Sequence, residues 1–163
     1  MFSDGAAAVL VDGAETGNSG PRMTASGSRL FADSERIMGW DMVDEGLKLV
    51  LSPRLPAIVK TELPDLIDSF LSAQRLDRDE LTDYITHPGG AKVIDAFRQA
   101  LDLPGEALAL TEDHLRRYGN ISSVSVLMIL EKWLEEKWQP GYGLGLLSAF
   151  GPGFSADMTL LKG

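Results

Sequence analysis

Two side chains in this sequence have the type and setting to stabilise a developing negative charge. His87 opens the tetrapeptide His87-Pro88-Gly89-Gly90. A proline drives the residue before it into an extended conformation. The glycines allow a tight turn and close approach by another group. This sets an imidazole at the C-terminal tip of a predicted strand, where open α/β sheets place their ligands. A histidine that merely satisfies its own loop would read the same way. Asn120 lies in Tyr118-Gly119-Asn120-Ile121-Ser122-Ser123, just ahead of an apolar helix. Gly-Asn before two serines is also ordinary turn and capping chemistry. Taken as a pair, the imidazole and the carboxamide offer two donors, and two donors aimed at one oxygen make an oxyanion hole. The chain contains no cysteine. That excludes disulfides, thiolate metal sites and a cysteine nucleophile. With two histidines in total, no histidine-rich metal site is expected either.

Other polar or aromatic landmarks read more plainly. Ala149-Phe150-Gly151-Pro152-Gly153 is a hairpin turn, or a rigid wall that a ligand can approach closely. His114, beside Arg116 and Arg117 in a short polar helix, reads as solvated. Trp133 and Trp138 read as packing at the end of the apolar helix. Bulk properties narrow the classes. The 163 residues suit one domain with a real core. The net charge of −9 argues against nucleic acid or an anionic membrane as partner, and it requires any coenzyme A to find a local basic cluster. No apolar run is long enough for a membrane span. The start of the chain has no basic lead or cleavage signal, so a cytoplasmic location is expected.

The elements that must position these residues alternate between strands and helices. Ala6 to Val11 reads as a buried strand between Asp4-Gly5 and Asp12-Gly13. It begins almost at once, which leads us to expect sequence upstream. Gly13 to Gly27 reads as a loop. Ser28 to Ala32 and Trp40 to Val50 are predicted strands. Pro56 to Ala73 is a predicted helix that Pro64 should kink or restart. Asp83 to Thr86 is a short strand leading to His87. Helices are expected at Gly90 to Leu101 and at Thr111 to Tyr118, with Thr111 as N-cap. The helix from Ser122 to Lys137 is apolar all round in its first turns, the mark of a buried helix. Leu144 to Phe150 and Phe154 to Leu161 complete the chain as strands. Their short connection makes them antiparallel. The sum is an α/β domain with a mixed, five-stranded sheet.

Phe2-Ser3-Asp4-Gly5-Ala6, the His87 tetrapeptide, the Asn120 segment and Phe150-Gly151-Pro152-Gly153 occur in a fixed order. As a set they resemble the C-terminal half of type III polyketide synthases, the chalcone and stilbene synthase family. Asn120-Ile121-Ser122-Ser123 and Met38-Gly39-Trp40-Asp41 are closer to bacterial than to plant members. The resemblance implies a thiolase-like fold and the decarboxylative condensation of malonyl-CoA onto an acyl-CoA starter. These are substrates; no separate cofactor is implied. It implies that His87 and Asn120 are the catalytic pair. Ser122 would line the acyl cavity, and Phe150, Gly151, Pro152 and Gly153 would shape its floor. Leu49 would stand where plant members often carry a gating phenylalanine. In the family the nucleophilic cysteine, held ready as a thiolate beside an imidazolium, belongs to the N-terminal half. That half would then be the principal partner, in cis or in trans, and no condensation is expected from this chain alone. The apolar helix would lie against it, so the isolated chain should form a homodimer or other homo-oligomer. Two rival readings share the fold: a non-catalytic interaction module, and half of a ketoacyl synthase III-like enzyme.

Overall fold

The computed structural model describes residues 2–17 and 20–163. Asn18 and Ser19, inside the predicted Gly13–Gly27 loop, lie outside the described residues. The elements in chain order are β1 (Arg22–Leu30), β2 (Met38–Val43), β3 (Gly46–Leu51), α1 (Leu55–Ser72) and β4 (Leu81–Thr86). They continue with α2 (Ala91–Ala100), α3 (Ala109–Tyr118), α4 (Ser123–Glu136), β5 (Leu144–Gly151) and β6 (Ser155–Lys162).

The main sheet is mixed, with strand order β1-β6-β5-β4. β4 and β5 are parallel, while β6 is antiparallel to both β5 and β1. The expected antiparallel pair at the C-terminus is therefore present. Successive side chains of a strand point to opposite faces, and the sheet is packed on both. Leu146 and Leu160 join α1 and α2 in the larger core, with Ile67, Leu71 and Phe97. Their sequence neighbours Leu147 and Leu161 turn to the other face, where Ile129, Leu130 and Trp133 of α4 pack on Ile85. Asp83 is buried on this second face. It accepts hydrogen bonds from Trp133 Nε1 at 3.1 Å and Lys137 Nζ at 2.6 Å, as a buried carboxylate must.

The sheet has four strands among the described residues, not five. Ala6 to Val11 forms no strand; the segment is exposed, and residues 6–10 share an open cleft with α4. No strand edge is presented to it there. A glycine at position 5 lets it approach: a Cβ there would stand 2.8 Å from Ile121 Cγ2. The Trp40–Val50 run is a two-stranded ribbon, β2 paired with β3, rather than one strand. Asp44 and Glu45 make a two-residue turn, closed by Gly46 at φ +123°, a value that favours glycine. The loop predicted to reach Gly27 ends early, because β1 starts at Arg22. α1 is not ended by Pro64. Burial of Leu63 and Ile67 on either side outweighs the lost backbone bond. Thr111 caps nothing. It lies inside α3, wholly buried, and its hydroxyl donates to the Thr86 carbonyl at 3.2 Å.

Candidate active site

β1, β4 and β5 run the same way, so their C-terminal ends share one edge of the sheet. His87 leaves β4 at that edge. Its N–H donates to the Ser148 carbonyl at 2.9 Å, which carries the ladder one residue past the strand. Gly89 N–H then turns back onto the His87 carbonyl at 3.0 Å. Gly90, at φ +149°, opens α2, and its carbonyl receives the first helical bonds from Val93 and Ile94. This is the strand–turn–helix setting expected for His87.

Asn120 follows Gly119, which closes α3 at φ +76°. Its side chain is buried and divided between two tasks. Oδ1 accepts the Ser122 N–H at 2.8 Å, an Asx turn that sets up α4. Nδ2 points at the Gly89 carbonyl over a long 3.5 Å. The Asn120 loop and the His87 loop therefore touch, although they are separated in sequence by α2 and α3. Ser122, at φ +55°, is exposed at the start of α4. Its side chain makes no cap bond; Ser125, inside the first turn, reaches back instead, its Oγ accepting the Ile121 N–H at 2.9 Å. Ser3 N–H bonds the Asn120 carbonyl at 3.1 Å, which ties the first residues to this loop.

Phe150 and Gly151 end β5, and Pro152 and Gly153 begin the turn to β6 at the same sheet edge. Phe150 stacks on Phe154, whose ring also meets Phe31 beyond β1. Sequence reading passed over Ser34, which pins this wall. Its Oγ lies 2.5 Å from the Phe31 carbonyl and 3.1 Å from that of Gly153, and it accepts the Phe154 N–H at 2.7 Å. A lone serine in a polar turn carries no signal of that role. Gly153 N–H donates to the Met38 carbonyl at 3.0 Å and roots the β2–β3 ribbon in the wall. Leu49 rides on that ribbon, half-buried and paired with Trp40.

His114 corrects the sequence reading. It is 5 % exposed, not solvated, because α3 turns it inward with Thr111, one turn earlier on the same face. That spacing was the available signal. His87 is pushed down to about 4, first by burial and then by His114. It is therefore neutral at pH 7. The imidazolium expected from the resemblance is not what burial in this chain favours.

A mixed sheet with helices on both faces, carrying a histidine and an asparagine loop at one edge, is the architecture of a thiolase-like half. The match to solved structures is close. The crystal structure of 1,3,6,8-tetrahydroxynaphthalene synthase from Streptomyces coelicolor, a bacterial type III polyketide synthase, aligns with TM-score 0.82 and 31% identity. The alignment covers 90% of this chain and 42% of that one. PKS-I from the brown alga Ectocarpus siliculosus aligns with TM-score 0.81 and 27% identity, over 87% of this chain and 39% of that one. The family model for the C-terminal domain of chalcone and stilbene synthases matches residues 22–163. This chain belongs to that family. Among curated relatives, 1,3,6,8-tetrahydroxynaphthalene synthase of Streptomyces peucetius is 38% identical over 99% of this chain and 44% of its own length. A putative chalcone synthase of Bacillus subtilis is 33% identical over 99% of this chain and 46% of its own length. The chain thus spans about half the length of the relatives it matches. No helix among the described residues is long and apolar enough to cross a membrane.

Proposed function

We propose that this chain is the oxyanion-stabilising half of a type III polyketide synthase, acting on malonyl-CoA and an acyl-CoA starter. The observation that supports this reading is the meeting of the two loops, with the Asn120 amide against the backbone of the His87 turn. In the reaction, the bond from the malonyl carbon to its carboxylate breaks and carbon dioxide leaves. The electron pair moves onto the thioester oxygen as an enolate. His87 and Asn120 each donate a hydrogen bond to that oxygen. The enolate carbon then attacks the acyl carbon held on a cysteine of the other half, and the cysteine leaves as thiolate. A neutral His87 suits this step. Its N–H stabilises the enolate but is too weak an acid to quench it by protonation. Ser122, Leu49 and the Phe150–Gly153 wall would bound the acyl cavity.

Partnership belongs to the same proposal. Val124, Val126, Leu127 and Met128 of α4 are only half-buried. Leu127 and Met128 line an open cleft of about 660 Å³ with the Ala6–Leu10 segment. The other half of the enzyme would cover this face, and in the isolated chain a second copy would.

The test uses the full-length enzyme. Removing one oxyanion donor costs roughly 3–4 kcal/mol of barrier, so Asn120→Ala should slow release of carbon dioxide from malonyl-CoA by about a hundredfold or more. Acylation of the cysteine, followed by mass spectrometry, should survive. Decarboxylation at the parental rate would remove Asn120 from the role.

A further inference from the structure

We infer that Ser125 is a positioning residue for Asn120: its wholly buried hydroxyl grips the peptide that follows Asn120, and so keeps the carboxamide turned with Nδ2 free to donate. The inference rests on the proposed role of Asn120 as a donor.

A carboxamide has one end that accepts and one that donates. Only Nδ2 can stabilise an oxyanion, so the end that faces a substrate matters as much as the residue type. Here Oδ1 is committed to the Ser122 N–H at 2.8 Å. Nδ2 carries two hydrogens. One faces the Gly89 carbonyl over 3.5 Å, and the other stays available. Turning the carboxamide over would set Nδ2 against the Ser122 N–H and Oδ1 against the Gly89 carbonyl, donor to donor and acceptor to acceptor. The productive orientation therefore depends on where the Ser122 N–H is aimed, and so on the backbone from 120 to 122.

That backbone is held from two sides. The peptide joining Asn120 to Ile121 has its carbonyl on the Ser3 N–H at 3.1 Å and its N–H on Ser125 Oγ at 2.9 Å. A peptide unit is planar, so pinning both of its polar groups fixes its rotation. The Ser125 N–H also donates to the Ser122 carbonyl at 3.1 Å. Ser125 thus brackets Ser122, which sits at φ +55°, a left-handed value uncommon outside glycine. The place of Ser125 on its helix points the same way. Ser125, Ile129 and Trp133 form a buried stripe of α4 at four-residue spacing. A hydroxyl at the head of an apolar stripe needs a partner, and its partner is the Ile121 N–H. Without the hydroxyl, that buried N–H is left unsatisfied. The peptide then turns toward another acceptor, and the Ser122 N–H leaves Oδ1.

The full-length enzyme tests this. Ser125→Ala should lower kcat for release of carbon dioxide from malonyl-CoA by about ten- to a hundredfold, the effect of a small misplacement. KM and the rate of cysteine acylation should be kept. Added to Asn120→Ala, Ser125→Ala should cost nothing further, because the group it positions is gone. A serine that only stabilised the start of α4 would give the same loss in both backgrounds. A crystal structure of Ser125→Ala reads the orientation without activity, and it should show Asn120 Oδ1 parted from the Ser122 N–H. Decarboxylation at the parental rate in Ser125→Ala, an additive loss in the double variant, or an unmoved carboxamide would overturn the inference. If Ser125→Ala does not fold, Ser125→Cys, whose thiol is a weak acceptor, takes its place in each arm. A slow Asn120→Ala beside a parental Ser125→Ala rejects the positioning role and leaves the donor role standing. A parental Asn120→Ala removes the donor role, while a displaced carboxamide in the crystal still supports the positioning.

Discussion

Two apolar runs in this chain follow similar phenylalanine–glycine turns and meet opposite fates. After Phe150-Gly151-Pro152-Gly153, residues 155–162 become β6, paired on one edge with β5 and on the other with β1. Ala156, Met158, Leu160 and Leu161 are buried there. After Phe2-Ser3-Asp4-Gly5, residues 6–11 stay outside the sheet, with Val9 50 %, Leu10 85 % and Val11 61 % exposed. The family match begins only at residue 22. Composition alone does not bury a strand. A strand is stable where neighbours satisfy its backbone groups and cover its side chains, and the second run has no such neighbours among the described residues.

The widest gap between the two runs should appear in unfolding. Leu160→Ala in β6, at 1 % exposure, should cost about 2–5 kcal/mol in urea denaturation. Leu161→Ala should behave similarly from the other face.

Acid should separate the buried site from the open segment next. His87 sits near 4 in the folded chain, against 6.5 for the free side chain. Between those values the unfolded chain binds the extra proton. Stability therefore rises with pH across this window and is lost on acidification through it. The His87 contribution lost on full acidification is about 3 kcal/mol. His87→Gln should flatten the slope of stability between pH 6.5 and pH 4 relative to the parent, while Leu10→Ala should leave it alone. Parallel curves for His87→Gln and the parent would contradict the burial account.

Association tests the half-covered helix beside the open segment. Apolar burial is worth about 25 cal/mol per Å², and patches of some hundreds of Å² promote contact. The isolated chain should therefore self-associate in light scattering at micromolar concentration. Leu127→Asp should weaken this by about tenfold or more, roughly 1.4 kcal/mol. A folded monomer at all concentrations would show that the chain covers α4 by itself.

The smallest effect belongs to the open run. Leu10→Ala should shift the unfolding free energy by no more than about 0.5 kcal/mol. A loss comparable to that of Leu160→Ala would mean the segment is packed in solution.

Much of the fold was legible because its signals are local. The apolar spacing of α1 and α2, the strand before His87, and the short turn between β5 and β6 all report on neighbours in sequence. The ribbon at residues 38–51 was misread because alternation continues on both sides of Asp44-Glu45, and the positive φ of Gly46 is what folds it back. His114 was misread because three charged neighbours dominate its local sequence, while its burial depends on how α3 docks against β4. Ser34 was invisible, since its bond to the Phe31 carbonyl is ordinary local turn chemistry and its other two partners, Gly153 and Phe154, lie far along the chain.

By itself the sequence determined the residue types at the site, their order and the missing thiol. Cysteine cannot be supplied by folding, and His87-Pro88-Gly89-Gly90 already contains the turn that sets an imidazole at a strand end. Only the tertiary structure decided that the Asn120 amide reaches the Gly89 carbonyl, that His87 is neutral, and that His114 lies buried behind the strand end. Those are consequences of how α3 and α4 pack on one face of the sheet. Hydrogen-bond reach and desolvation depend on distance in space, and residues brought together by packing carry no local mark of it.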